Sequence, residues 1–162
     1  MNREDDIHQR VMEAVEASQE AVWRIARQLN REHHVTVNSA RLAPSRAVAA
    51  DYADCGDLIL HCPIDIKHLT DRNKAAYFTC RDDWAHGNRF IVCAKRSHDK
   101  AWPVPTRYII VNWPMTHVAV VRVSNFADWT VWRDRDWISG EPKDYYLSPI
   151  EQVRFCPIEE LT

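Results

Sequence analysis

The sequence predicts an α+β fold with a mixed central sheet, one N-terminal helix and an extended β-rich C-terminal half, all within a single domain spanning residues 1–162. Three observations carry this reading. Apolar residues recur at alternating spacings of three and four between Asp5 and Arg31, as on one face of a helix. Beyond His34 the apolar runs are short and β-prone, so helix and strands are segregated rather than alternating. No Ser/Gly-rich linker or shift of composition divides the chain, which is long enough to bury a sizeable core.

Taken in order, Ile7, Val11, Val15, Ser18, Val22, Ile25 and Leu29 form the buried stripe of the helix. Glu20 lies near the edge of that stripe. The alternation of His34 to Leu42 reads as a first strand, and Ala43 to Cys55 as a loop or short helix. A turn at His61-Cys62-Pro63 then joins two short strands into a hairpin running from Asp57 to Lys67. Asp71 to Asn88 has a weak helical pattern interrupted by Gly87, and His98 to Ala101 offers a single helical turn instead. Phe90 to Ala94, Thr106 to Asn112 and His117 to Val123 read as strands, the last two joined through Trp113-Pro-Met-Thr116 as a hairpin. Asp128 to Ile138 alternates aromatic with charged residues, as a half-exposed strand does, and Ser139-Gly-Glu-Pro142 turns it toward Asp144 to Leu147. Core packing accounts for Trp113, Trp129, Trp132 and Trp137 better than a base-stacking platform, since Trp132 falls on the face opposite its neighbours.

The chemistry concentrates in Asp57-Leu-Ile-Leu-His-Cys-Pro-Ile-Asp65-Ile-Lys67, where two carboxylates and an amine stand in an apolar run. Side chains on a strand alternate, so Asp65 and Lys67 share one face while Ile64 and Ile66 share the other. A hairpin centred near His61 sets Asp57 opposite Asp65, with Cβ atoms roughly 4.5–5.5 Å apart. Two carboxylates that close repel unless one is protonated or a cation sits between them. Magnesium suits such a pair, because it takes oxygen ligands, keeps several waters and accepts a substrate phosphate. Asp57 and Asp65 would hold the ion, with the Ile66 carbonyl as a further oxygen ligand. Lys67 would orient the attacking water and balance charge developing on the phosphate.

At these residues the chain resembles the PD-(D/E)xK nuclease superfamily, the restriction-endonuclease-like fold. Gly56-Asp57 stands where the family often has Pro-Asp, and Asp65-Ile-Lys67 supplies the second element, with Asp in place of the commoner Glu. The resemblance covers about the first seventy residues. It implies a magnesium-dependent nuclease acting on DNA, with manganese able to substitute, and a metal-proximal Glu on the opening helix, which here is Glu20. The Phe78 to Trp84 segment resembles small phage-encoded members. The competing class is a non-catalytic phage or mobile-element adaptor that uses a nuclease-like fold to bind DNA or a host protein, since fold does not fix function. A second Asp/Glu-x-Lys copy, Glu141-Pro-Lys143, sits in a Gly-Pro turn and lacks a strand context.

A net charge of −2 excludes an overall basic coat for nucleic acid, leaving local arginines to meet a phosphate backbone. Arg41 and Arg46, flanking the loop before Asp57, are the candidates for substrate binding, and Arg24, Arg27 and Arg31 form a further stripe on the helix. The charged N-terminus lacks a signal-peptide core and no run is long enough to span a bilayer, which leads to the expectation of a cytoplasmic protein without a membrane partner. A homodimer would suit double-strand cutting, though nothing in the chain requires one. Five irregularly spaced cysteines argue for reduced, mostly buried thiols rather than a disulfide framework or a zinc site. Phosphate-binding glycine loops, dinucleotide fingerprints and serine-hydrolase elbows are missing from the sequence.

Overall fold

A computed structural model describes residues 3–29, 36–37, 58–60, 62–71, 74–136 and 139–161. Helix α1 spans Arg3–Leu29. The strands among the described residues are β1 Thr36–Val37, β2 Leu58–Leu60, β3 Cys62–His68, β4 Arg89–Ala94, β5 Arg107–Val111, β6 His117–Arg122, β7 Thr130–Arg135, β8 Pro142–Pro149 and β9 Arg154–Pro157, with a short helix α2, Lys95–Lys100, between β4 and β5. They form a six-stranded sheet in the order β1-β2-β3-β5-β6-β9 and a three-stranded sheet in the order β4-β8-β7. Among the described strands only β3 and β5 pair in parallel, so the larger sheet is mixed and the fold class is α+β.

The larger sheet is covered on both faces. On one, Ile64 and Ile66 of β3, Ile109 and Val111 of β5, and Val118 and Val120 of β6 pack with Ala21, Val22, Ile25, Ala26 and Leu29 of α1. The period-two strands thus meet the period-3.6 stripe of the helix, and each fully buried branched side chain contributes about 1.5–3 kcal/mol. On the other face Tyr108, Ile110, Ala119 and Val121 pack with Phe78, Trp84, Phe90, Val92 and Tyr146 from the smaller sheet and its connections. Burial on both sides explains why β5 and β6 read as continuous apolar runs rather than alternating ones.

Parallel pairing of β3 with β5 requires a long crossover, usually covered by a helix. Here, among the described residues, the chain between β3 and β4 holds only a 3-10 turn at Lys74–Tyr77, and the smaller sheet covers that face in place of a crossover helix. The run from Phe90 to Ala94 therefore forms a strand as expected but pairs with β8 in a separate sheet. Strand β7 is exposed at all six positions rather than half-exposed, because it is the edge of that smaller sheet. The segment around Lys143 is not the turn expected, since β8 begins at Pro142. Strand β9 was not anticipated. Of the first expected strand only Thr36–Val37 is described, and Ala43 to Cys55 lies outside the described residues. No described helix is long and apolar enough to cross a membrane.

Candidate functional site

The hairpin forms, but Cys62 and Pro63, expected in its turn, are the first residues of β3. Leu58 pairs with Ile64, Ile59 with Pro63 and Leu60 with Cys62, an antiparallel register centred on position 61. Because Ile64 and Ile66 face α1, Asp65 and Lys67 point to the opposite face, toward the smaller sheet. Lys67 Nζ donates to Asp65 Oδ1 at 3.2 Å and lies 3.0 Å from Oδ2. The Asp65 side chain is 6% exposed and that of Lys67 32%, so a buried carboxylate sits beneath an ammonium that reaches solvent.

Strand β5 and helix α2 build the rest. Tyr108 is the partner of Asp65 in the parallel ladder, and its ring centroid lies 5.8 Å from Lys67 Nζ, within cation–π range. Its hydroxyl is 2.9 Å from Nδ1 of His98, a buried residue of α2 whose ring stacks on Phe126 with centroids 4.8 Å apart. Burial pushes the His98 pKa down, against the opposing charge of Asp99, so the ring is neutral at neutral pH. Asp99 pairs with Lys95 one turn earlier and accepts a hydrogen bond from the Tyr146 hydroxyl at 2.8 Å. The Lys95 hydrogen bond holds the Asp99 carboxyl below the usual carboxylate range. Cys93 lies among these groups, and burial pushes its thiol up to about 11 although a hydrogen bond with Tyr108 and the charge of Lys67 act the other way. It is a thiol, not a thiolate nucleophile, at neutral pH.

The structure therefore brings Asp65 and Lys67 together and adds Tyr108, His98 and Asp99, which the sequence reading missed. The i,i+4 spacing of Lys95 and Asp99 was a visible local signal; the Tyr108 to His98 contact joins separate elements and had none. Ile66 turns its side chain into the α1 core, so any contribution it made to a metal site would come from its carbonyl. Glu20 is exposed on a helix that packs against the face of β3 opposite Asp65 and Lys67, and as an outer ligand it would have to reach round the edge of the sheet. Asp57, Arg41 and Arg46 lie outside the described residues.

Among the described residues no group of three or more His, Cys, Asp or Glu side chains is arranged to hold a metal ion. Asp65 fits one position of a magnesium site in its chemistry, being a hard oxygen donor, and the second carboxylate of the expected pair is Asp57, immediately before Leu58. The other Asp/Glu-x-Lys copy has a structural use: Lys143 donates to Asp136 Oδ2 at 2.8 Å across the β7–β8 hairpin. His68 stacks on Trp113 at 5.4 Å and meets its carbonyl oxygen at 3.3 Å, contacts that give it a structural use. Cys93 and Cys156 are free and buried, whereas Cys80 is exposed. No known family model, curated protein or solved structure matches the chain.

Proposed function

We propose that this protein is a magnesium-dependent nuclease that hydrolyses phosphodiester bonds in DNA. The observation that carries the reading is the placement of Asp65 and Lys67 on one face of a strand inside a mixed sheet, 3.0 Å apart, directly after an antiparallel hairpin whose register continues toward Asp57. In this reading Asp65, Asp57 and the Ile66 carbonyl would hold the ion, with Arg41 and Arg46 meeting the DNA backbone; Glu20, on the helix that covers the opposite face of the sheet, has no part in it. Bound magnesium supplies Lewis-acid polarisation of the scissile phosphate and lowers the pKa of a water.

The chain's own residues set the rest. Lys67 holds Asp65 and is 32% exposed, so in this reading its ammonium stands where it would orient a water and balance negative charge on a phosphate. The Tyr108 ring beside the ammonium limits where Lys67 can swing, and the His98 contact fixes the Tyr108 ring in turn. Burial of Asp65 keeps its carboxylate from being hydrated, so a cation entering the site replaces lysine rather than bulk water as its partner. Calorimetric titration of Mg²⁺ or Mn²⁺ into wild type and Asp65→Asn tests the site: the reading expects binding to wild type that the variant loses, and equal heats from both proteins would overturn it.

One observation favours the second reading, a non-catalytic phage or mobile-element adaptor on the same frame that binds DNA or a host protein. Asp65 is nearly inaccessible and both of its oxygens already face Lys67, so the pair serves as a structural clasp without any ion. Titration without metal binding, together with retained capture of DNA or of a protein partner, would decide for it.

A further inference from the structure

We propose that the cavity where β5, β6 and β9 meet at one end of the larger sheet binds a phosphate-bearing ligand, a nucleotide either free or as a unit of a nucleic-acid strand. This goes beyond the nuclease reading and does not rest on it. The arginines concerned belong to the α1 face of the sheet, opposite to Asp65 and Lys67. The cavity has a volume of about 410 Å³, and its lining includes Arg107, Arg122 and Arg154, with Val120 and Leu161 of the α1-side core at its base. A volume of that order lies within the range of small-molecule sites, roughly 300–1,000 Å³. An adjoining depression of about 650 Å³ shares Arg107 and Arg122 and offers Val104, Pro105 and Val123 as an apolar wall.

The register forces the arginines together. Arg107 at the start of β5 is the direct partner of Arg122 at the end of β6, and Arg154 opens β9 opposite Val120, so all three belong to one face of three adjacent strands. Like charges directly opposed across a sheet repel. Among the described residues neither Arg107 nor Arg122 has a carboxylate within ion-pair distance. Arg154 donates to the Glu160 carbonyl oxygen at 3.0 Å, and Glu151 is the single carboxylate in the lining. An anion between Arg107 and Arg122 turns that repulsion into attraction, and the planar guanidinium fork matches a pair of phosphate oxygens.

Gln152 adds a second, independent demand. Its Nε2 donates to Asp128 Oδ2 at 2.7 Å, and because a carboxylate only accepts, that bond fixes which way the amide faces. Its Oε1 is left buried without a donor. Gln152 is one of the lining residues, so a ligand whose hydroxyl or amino group reached Oε1 would satisfy that acceptor, and a nucleotide carries such groups together with its phosphate.

The full chain titrated with inorganic phosphate, deoxyadenosine monophosphate, deoxyadenosine and a short single-stranded oligonucleotide, followed by thermal shift and calorimetry, tests the proposal. Phosphate and the monophosphate should raise Tm, and the unphosphorylated nucleoside should not. Arg122→Gln should weaken the monophosphate about tenfold or more, as loss of a charge-assisted hydrogen bond does. Without ligand the same variant should melt no lower than wild type, because a repulsion has been removed. Arg107→Gln provides the same test should Arg122→Gln fail to fold. Gln152→Leu should weaken the monophosphate but leave inorganic phosphate unchanged, and Asp65→Asn should alter neither. Oligonucleotide binding that is tighter than the monophosphate, falls with salt and is lost in Arg122→Gln identifies a strand as the source; monophosphate binding as tight as the oligonucleotide's identifies the free nucleotide. Absence of any shift in wild type, or shifts that persist in both arginine variants, would overturn the proposal.

Discussion

Replacing Lys67 by methionine removes the ammonium 3.0 Å from Asp65 Oδ2 while keeping an unbranched stem to cover the same surface. At that distance and an effective dielectric of about 20, the Coulomb attraction is of order 5 kcal/mol, which solvent then reduces. Removing one member of a fully buried pair costs about 3–5 kcal/mol, because the other charge stays buried. Lys67 is 32% exposed, so the expected loss for Lys67→Met falls to about 2–3 kcal/mol. Asp65→Asn leaves a lysine that can turn to water and should cost less, about 1 kcal/mol. The double variant should lose less than the two singles combined, with a coupling of about 1–2 kcal/mol. Urea unfolding of the four proteins at neutral pH measures each value. A Lys67→Met protein within about 0.5 kcal/mol of wild type, the range of ordinary surface substitutions, would show that Lys67 does not compensate the buried Asp65 charge. So would a coupling indistinguishable from zero.

Other consequences can be measured on the same footing. Burial alone would raise the Asp136 pKa, but hydrogen bonds from Lys143 and the Ser139 backbone outweigh it and bring the carboxyl down to about 2. That depression stabilises the fold fully above the unfolded value of about 4 and is lost as pH falls toward 2, a change of order 2 kcal/mol. Urea midpoints between those pH values should fall in wild type and much less in Lys143→Met; a flat wild-type profile contradicts the assignment. The lowered pKa of His98 acts in the same sense, stabilising the fold above about pH 6.5 and losing that contribution as pH falls below it, so His98→Gln should flatten the stability profile there. Tyr108→Phe, which removes the hydroxyl facing His98 Nδ1, should cost about 1 kcal/mol in chemical denaturation, and an unchanged midpoint would remove Tyr108 from the proposed support of Lys67. Gly140 has φ +72° with nothing within 4 Å of an added Cβ, so Gly140→Ala should lose about 1 kcal/mol from backbone strain alone.

Local periodicity made several elements legible in the sequence, and long-range pairing explains the rest. Ile7, Val22, Ile25 and Leu29 were readable as a buried stripe because helix period is a property of neighbours in sequence, and all four are buried. The β2–β3 hairpin was legible as a pair of strands, though Cys62 and Pro63 belong to β3 rather than to its turn. What Phe90 to Ala94 could not reveal was its partner: a short apolar run fits any buried strand, and its pairing with β8 joins residues more than fifty apart. Strand β9 escaped because its four residues end in Pro157, too short a stretch to display alternation. Within the site, Asp65 and Lys67 were legible because i and i+2 on a strand share a face. The Tyr108–His98 contact was not, since it depends on how α2 packs against β5. Glu20 was assigned through resemblance, and its exposed place on α1 follows from helix phase, which puts Ala21 and Val22 rather than Glu20 in the core.

Cleavage of duplex, single-stranded and branched DNA by wild type, Asp65→Asn and Lys67→Met, with and without Mg²⁺ and at a temperature where all three are folded, decides whether Asp65 and Lys67 form a nuclease site. Wild type should cleave at least one substrate in a Mg²⁺-dependent manner, and neither variant should cleave any. Cleavage by Asp65→Asn at the wild-type rate, or none by wild type with any substrate, would contradict that assignment.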